Sequence, residues 1–540
     1  MGGGAFDKHL NLKKSIMKYS YLIVFILICC NSLLFAQYTG GRGDGHGSGG
    51  LLNYTYDNGS WSPETPKSAS FHVDRLPNNL YVKSGKVVVG NALTANRVEL
   101  SPGAYLICDS NNLSLEDSLI LLADSTGYAS FKGKTQAKTR VQQYVAASGW
   151  THMGLPLNNA QLSAFGTVNT AVHANTRNIY YWDESSGSWQ DPVGSGDGSA
   201  VANVEGKGYV VWVGNYGISE AESVVECAGA LPEQISPPSL TNNGTSNDVN
   251  KDGWNLVANP FACPLDFSRI NTSDLLSSFS IWDPSKAKYL HYSPLVGDLI
   301  SPLIAPMQGF WVKASGPNPS LGSSLNVLTH CASSDDHQFY KTNFSQIDRF
   351  QLIVSELHNR SVNDEIVIGL IPGTNDSLDA EWDAFKRPNG SFAPTLAMEV
   401  DGQSLGINAL DFDPSRMHSK QLPLSFNTSN HHRIYRFQIS TGLMHQSLSY
   451  FLEDKLMNEW HDLNKAPYDF IHDTLHPRRF ILHFQNNQHP NNLNLNSPES
   501  SKLQYRLKGT DLLVWGQTSK AIEGAIYSLN GQQVFQFQYD

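Results

Sequence analysis

Charge is scarce in this chain. Only 16% of its 540 residues are Asp, Glu, Lys or Arg, against roughly 25% in ordinary globular domains. No long basic or acidic run occurs. Nucleic-acid binding is therefore disfavoured, because phosphate contacts need a clustered basic surface. The net charge of −11 is spread thinly and mainly serves solubility. Cysteine is sparse as well. Of six, Cys29 and Cys30 lie in the N-terminal segment, and Cys108, Cys227, Cys263 and Cys331 are far apart. No Cys-x-x-Cys pair exists, so zinc is not supported. In an oxidising compartment four cysteines leave three disulfide connectivities open. Small buried thiols are the competing reading.

Long apolar runs are missing too. Tyr21–Cys30 falls short of the roughly 20 residues a spanning helix needs, and no other segment does better, so no transmembrane anchor is expected. Catalytic signatures are also absent. There is no Gly-x-Ser-x-Gly elbow, no His-Glu-x-x-His and no phosphate-binding glycine loop. No cysteine sits in a recognisable protease setting. His431-His432 and His472/His476 lack a visible second ligand set, and Asp266, Asp283 and Glu381 have no readable separation. The expectation is a non-enzyme with no catalytic residue.

What is present begins with a targeting pattern. Lys13, Lys14 and Lys18 precede Tyr21–Cys30, and Leu33-Leu34-Phe35-Ala36 precedes Gln37. Basic region, apolar core and a small residue before the cut make a secretory signal over 1–36, with Met17 as an alternative start. Residues 37–79 form a glycine-rich lead-in. Its Arg42-Gly43-Asp44 reads as part of a glycine turn in preference to an integrin ligand. From 80 to 145 short alternating pairs recur: Val87/Val89, Val98/Leu100, Tyr105/Ile107, Leu113/Leu115 and Leu119/Leu121. Period two marks half-buried strands, and their close spacing predicts a β-solenoid or meander.

Residues 146–332 carry an internal duplication, with halves at about 146–230 and 250–332. Gly149-Trp150-Thr151-His152-Met153-Gly154 is echoed by Gly253-Trp254-Asn255-Leu256-Val257-Ala258. Trp182-Asp183 is echoed by Trp282-Asp283, and Gly208-Tyr209-Val210-Val211-Trp212 by Gly309-Phe310-Trp311-Val312. Two copies are too few for a propeller. Trp182, Trp212, Trp282 and Trp311 are expected to fill core, the alternative being a sugar-binding face. Residues 343–484 predict a β-sandwich of about eight strands. Residues 485–501 read as a linker and 502–540 as a final partial domain. The overall expectation is an all-β, multi-domain chain.

One metal candidate emerges. Asp248, Asn250 and Asp252, with Gly253, match the start of a calcium loop. The twelfth position is Asn259 in place of a bidentate Glu, so a polar turn competes. Calcium is the one cofactor considered.

Taken together, these stretches resemble secreted Bacteroidetes proteins exported by type IX secretion. The resemblance rests on Gly253–Pro260, Trp282-Asp283, Gln308–Lys313, Asn363–Leu370, Asp379–Lys386 and Tyr450–Asp454. It also rests on Gly524–Phe535, which is similar to the middle of a C-terminal sorting domain, with Ile526, Tyr527, Leu529, Gly531 and Val534 at the motif positions. The resemblance implies a secreted or cell-surface location reached through the periplasm, with the type IX machinery as partner. It further implies O-glycosylation at Ser118, Ser125, Ser377 and Thr474, each in an Asp-Ser/Thr-x triplet. Because that sorting domain ordinarily continues beyond Val534–Phe537, a truncated product with an unpaired edge there is expected. Such modules are shared scaffolds and do not name an activity. The expected role is structural or adhesive, the alternative a glycan-binding protein or the non-catalytic part of a glycan-degrading system.

Overall fold

Alternation in the N-terminal third builds parallel rungs. The computed structural model describes residues 53–62, 78–89, 93–145, 149–165, 178–194, 201–213, 223–243, 252–294, 296, 301–332, 349–390, 393–412, 420–430, 433–440, 448–472, 476 and 478–486. Of 504–508, 511–515, 522–527 and 533–539 it describes the backbone. Asn53–Asp57, Asn79–Val82, Leu93–Leu100, the later part of Ala104–Leu121 and Lys138–Val145 lie parallel, each beside the next. Gly85–Val88, the earlier part of Ala104–Leu121 and Ser130–Lys134 form a second parallel ladder. This is a β-solenoid. Leu80, Val98, Leu106 and Leu119 point into its core. Asparagines stack along it: Asn79 Nδ2 donates to Asn53 Oδ1 at 3.1 Å, and Asn96 Nδ2 to Asn79 Oδ1 at 2.7 Å. Ser223–Gly229 then pairs antiparallel with Lys138–Val145 and covers that edge. The solenoid starts earlier than its clearest alternation. Asn53–Asp57 and Ser60–Ser62 fall inside the stretch expected as lead-in, because Tyr54 and Tyr56 supply a period of two among the polar residues.

The duplication is structural. Gly149–Met153, Tyr209–Val213, Ile179–Asp183 and Ser188–Gln190 form one antiparallel sheet in that order. Trp254–Ala258, Gly309–Ala314, Leu275–Asp283 and Lys288–Tyr292 form the other, with the same connectivity. The halves meet through a pseudo-two-fold exchange. Met153 bridges Gln308, and Lys207 bridges Val257. Gly154 N donates to Met307 O at 3.0 Å, and Ala258 N to Gly206 O at 2.9 Å. Each contact is the image of the other, as in an isologous dimer interface. The glycines before the aromatic strands permit it. A Cβ on Gly309 would stand 2.8 Å from the His152 carbonyl carbon, and one on Gly208 2.7 Å from the Val257 oxygen.

The second half also anchors the solenoid. Phe131 N donates to Ala262 O at 2.9 Å, and the Tyr105 hydroxyl donates to the Ala332 carbonyl. Between them lies the disulfide Cys263–Cys331. Cys108 and Cys227 are buried thiols.

In the C-terminal body the predicted run of strands forms, from Arg349–Glu356 to Phe480–Asn486. Instead of two separate stacked sheets they follow one hydrogen-bonded path, which starts at Glu459–Asp462 and ends at Tyr468–Ile471. The sheet bends over a single core. Phe350 stacks on Tyr450 at 4.1 Å although their strands are not neighbours. Side chains close the seam where the ladder does not. Asp454 accepts from the Tyr468 hydroxyl at 2.7 Å and from Arg479 Nε at 2.7 Å, while Arg479 Nη1 donates to Ile471 O at 2.8 Å. One central strand escapes sequence reading: Gln403–Asp411, which pairs parallel with Asn363–Ile371. Gly406 and Asn408 interrupt its alternation. Gly406 lies against the His291 ring, and Asn408 Nδ2 donates to Asp383 Oδ1 at 3.2 Å. The final segment contributes two antiparallel hairpins, Gln504–Lys508 with Asp511–Trp515 and Ile522–Tyr527 with Gln533–Tyr539.

Gly309→Ala forces backbone apart across the pseudo-two-fold and is expected to cost about 1–3 kcal/mol in denaturant unfolding. An unchanged midpoint would remove the close-approach argument. Asp454→Asn leaves Arg479 without its buried counter-charge and is expected to cost about 3–5 kcal/mol. A loss no larger than that of an exposed ion pair would mean that the seam is held elsewhere.

Candidate functional site

Side chains paired across antiparallel strands share a face. In the first half Trp150 pairs with Trp212, His152 with Val210, Tyr180 with Val210, and Trp182 with Trp189. One face of that sheet is therefore aromatic almost throughout. Its other face, with Met153, Tyr209, Val211 and Ile179, is buried in the core shared with the solenoid. In the second half Trp254 pairs with Lys313, Leu256 with Trp311, and Trp282 with Tyr289. The two aromatic faces are continuous. Trp182 and Trp189 each meet Trp311 at 5.8 Å, and Trp282 Nε1 donates to Trp150 O at 2.9 Å.

The two parts of this platform differ in what covers them. On the second half, Trp254, Leu256, Tyr289 and Trp311 are buried in the core of the C-terminal body. Arg387 from that body sits with its guanidinium 3.6 Å from the Trp311 ring centroid and 5.1 and 5.3 Å from those of Trp182 and Trp254. The Tyr289 hydroxyl is its hydrogen-bond partner. Burial pulls Arg387 below the usual arginine value, but a guanidinium stays charged in proteins. His152 stacks on Tyr289 at 5.7 Å, and burial, reinforced by Arg387, holds its imidazole down at about 3. It is neutral, and its Nδ1 has no hydrogen-bond partner among the described residues. Lys386 beside Arg387 pairs with Asp364 at 2.7 Å, and Lys288 with Glu365 at 2.8 Å.

On the first half the same face is only partly covered among the described residues: His152 is buried and Trp182 lies beneath Arg387. Trp150, Tyr180, Trp182 and Trp212 are half-buried, and Trp189 is 39% exposed. Trp150 meets Trp212 edge-on at 5.5 Å and Tyr180 at 5.9 Å. Of the four tryptophans expected to fill core, only Trp311 is fully buried, at 0% exposure. Trp182, Trp212 and Trp282 are half-buried. Trp182 and Trp282 still pack against the edge of the C-terminal core, and their partial exposure is hidden from the sequence because a sheet with one apolar face inward and an aromatic face outward alternates just as a doubly covered sheet does.

The remaining candidates fall to several places. Asp248 and Asn250 lie outside the described residues. Asp252 offers its carbonyl to Lys313 Nζ. Among the described residues no group of three or more His, Cys, Asp and Glu is arranged to hold a metal. The buried carboxylate at this turn is Glu184, which the sequence did not flag. It accepts from Gly253 N at 2.8 Å and Asn243 Nδ2 at 2.8 Å, tying together both ends of the segment that contains the calcium pattern. Asp266 and Asp283 cap turns through Ser268 and Ser285 at 2.6 Å each, and Glu381 is exposed. His472 packs edge-on against Phe426, and His431-His432 lie outside the described residues. Ser125 and Ser377 are exposed. Ser118 is only 7% exposed, and its hydroxyl donates to Asp117, so the folded solenoid offers no free acceptor there. Thr474, Leu529 and Gly531 lie outside the described residues, as does the signal at 1–36. Ile526 and Tyr527 lie on Ile522–Tyr527, and Val534 lies on its partner strand Gln533–Tyr539. No described helix is long and apolar enough to cross a membrane.

No curated protein and no solved structure matches the chain. A family model described as a domain of unknown function, DUF8693, matches residues 70–484. That span runs from the solenoid through both halves of the duplication to the last strand of the C-terminal body, the parts joined by shared cores. The chain belongs to the DUF8693 family.

Proposed function

We propose that this chain is an exported, non-catalytic binding protein of adhesive type that recognises glycans on the open part of its aromatic platform. The observation that carries the reading is the half-exposed Trp150, Tyr180 and Trp212 side by side on one sheet face. Aromatic rings offer a large, rigid apolar surface with a polar tip. Sugar rings present C–H faces that pack on such surfaces, while their hydroxyls stay wet at the rim. A twisted sheet with edge-on rings suits a chain of sugars better than a single enclosed one.

Export is supported by the lysine-led apolar segment at 1–36 and by the buried Cys263–Cys331 disulfide, a bond that persists in oxidising compartments. The final hairpins, which hold Ile526, Tyr527 and Val534, keep the type IX machinery as the proposed partner. The cell surface or the medium is the proposed destination.

Affinity electrophoresis of the full chain against neutral polysaccharides tests the binding. Retardation by at least one polymer is expected, and Trp150→Ala and Trp212→Ala should each weaken it about tenfold, or about 1.4 kcal/mol. Mobility unchanged in every polymer, or retardation indifferent to both substitutions, would sink the glycan reading.

A further inference from the structure

The seam of the C-terminal body opens into a cleft of about 450 Å³ lined by Lys455, Leu456, His476, Arg478 and Arg479. That volume lies within the roughly 300–1,000 Å³ of small-molecule sites. In a chain of net charge −11, a cleft whose side chains are basic except for one leucine is a local inversion. We infer that this cleft binds a compact organic anion, one carboxylate or sulfate carried on a ring-sized body such as a sugar acid.

The seam builds the site. Arg479 is 5% exposed at its side chain and locked by Asp454, so its position is fixed and its charge largely offset. Lys455 is held nearby, since its N–H donates to Arg479 O at 3.0 Å. Arg478 reaches out with its side chain 69% exposed, and Glu399 stands 3.6 Å away, a loose surface pair. Among the described residues, Asp454 is matched by Arg479 and Glu399 stands opposite Arg478. Lys455 lines the cleft as an exposed cation. Arg478 adds the planar fork that matches an oxyanion in two hydrogen bonds. Leu456 is 40% exposed at the cleft wall. An exposed apolar side chain among cations fits the ring body of the ligand, and an inorganic oxyanion makes no use of it.

Size and charge select against polyanions. A duplex or an anionic membrane needs a broad basic surface, and the overall charge of this chain repels both at long range.

Calorimetric titration of the full chain with glucuronate, glucose and inorganic sulfate tests the inference. Glucuronate should bind, with glucose and sulfate each about tenfold weaker. Lys455→Ala and Arg478→Ala should each lower glucuronate affinity about tenfold while the thermal transition stays in place, since both side chains are exposed. Trp150→Ala should leave glucuronate binding intact, which separates this site from the platform. Glucose binding as tightly as glucuronate, or indifference to both basic substitutions, would overturn the proposal. Equal affinity for sulfate would overturn the role given to Leu456, and the absence of any heat with glucuronate would overturn the site.

Discussion

The guanidinium of Arg387 on the Trp311 ring joins the C-terminal body to the duplicated domain. Around it lie two ion pairs, Lys386 with Asp364 and Lys288 with Glu365, with side chains at most 13% exposed. Buried pairs of this kind repay their desolvation poorly, so they contribute little net stability. What they contribute is register. A cation enclosed by Trp182, Trp254 and Trp311 has one low-energy position, and neighbouring charges that must each find a partner admit one docking geometry.

That docking breaks a symmetry the duplication would otherwise keep. The halves contact each other as two copies would, through Met153–Gln308 and its image Lys207–Val257. Each presents one face to a core and one aromatic face outward. The C-terminal body covers the outward face of the second half and reaches that of the first at Trp182. The equivalent surface around Trp150 and Trp212 is half-buried, and the proposed function rests on this difference between sequence-related faces.

Much of the architecture was legible because it is local. The solenoid rungs show in alternation at Val98/Leu100 and Leu119/Leu121, since period two is a property of neighbouring residues. The duplication shows because Gly208 and Gly309 face the same steric demand, and only glycine meets it. What escaped was set by distant partners. The strand Gln403–Asp411 is irregular because Gly406 makes room for His291 and Asn408 holds Asp383. Glu184 is buried because its partners arrive from outside its own half, Gly253 from the start of the other half and Asn243 from the connection before it.

By itself, then, the sequence determined the all-β class, the repeat, most strands and the sparseness of charge, because each follows from the order and type of adjacent residues. Tertiary structure decided which cysteines bond and that the C-terminal sheet runs as one bent path. It also decided which tryptophans stay open and that Lys455, Leu456 and Arg478 share one cleft. Those outcomes depend on which surfaces meet. A tryptophan on an alternating strand reads the same whether Arg387 or water lies above it.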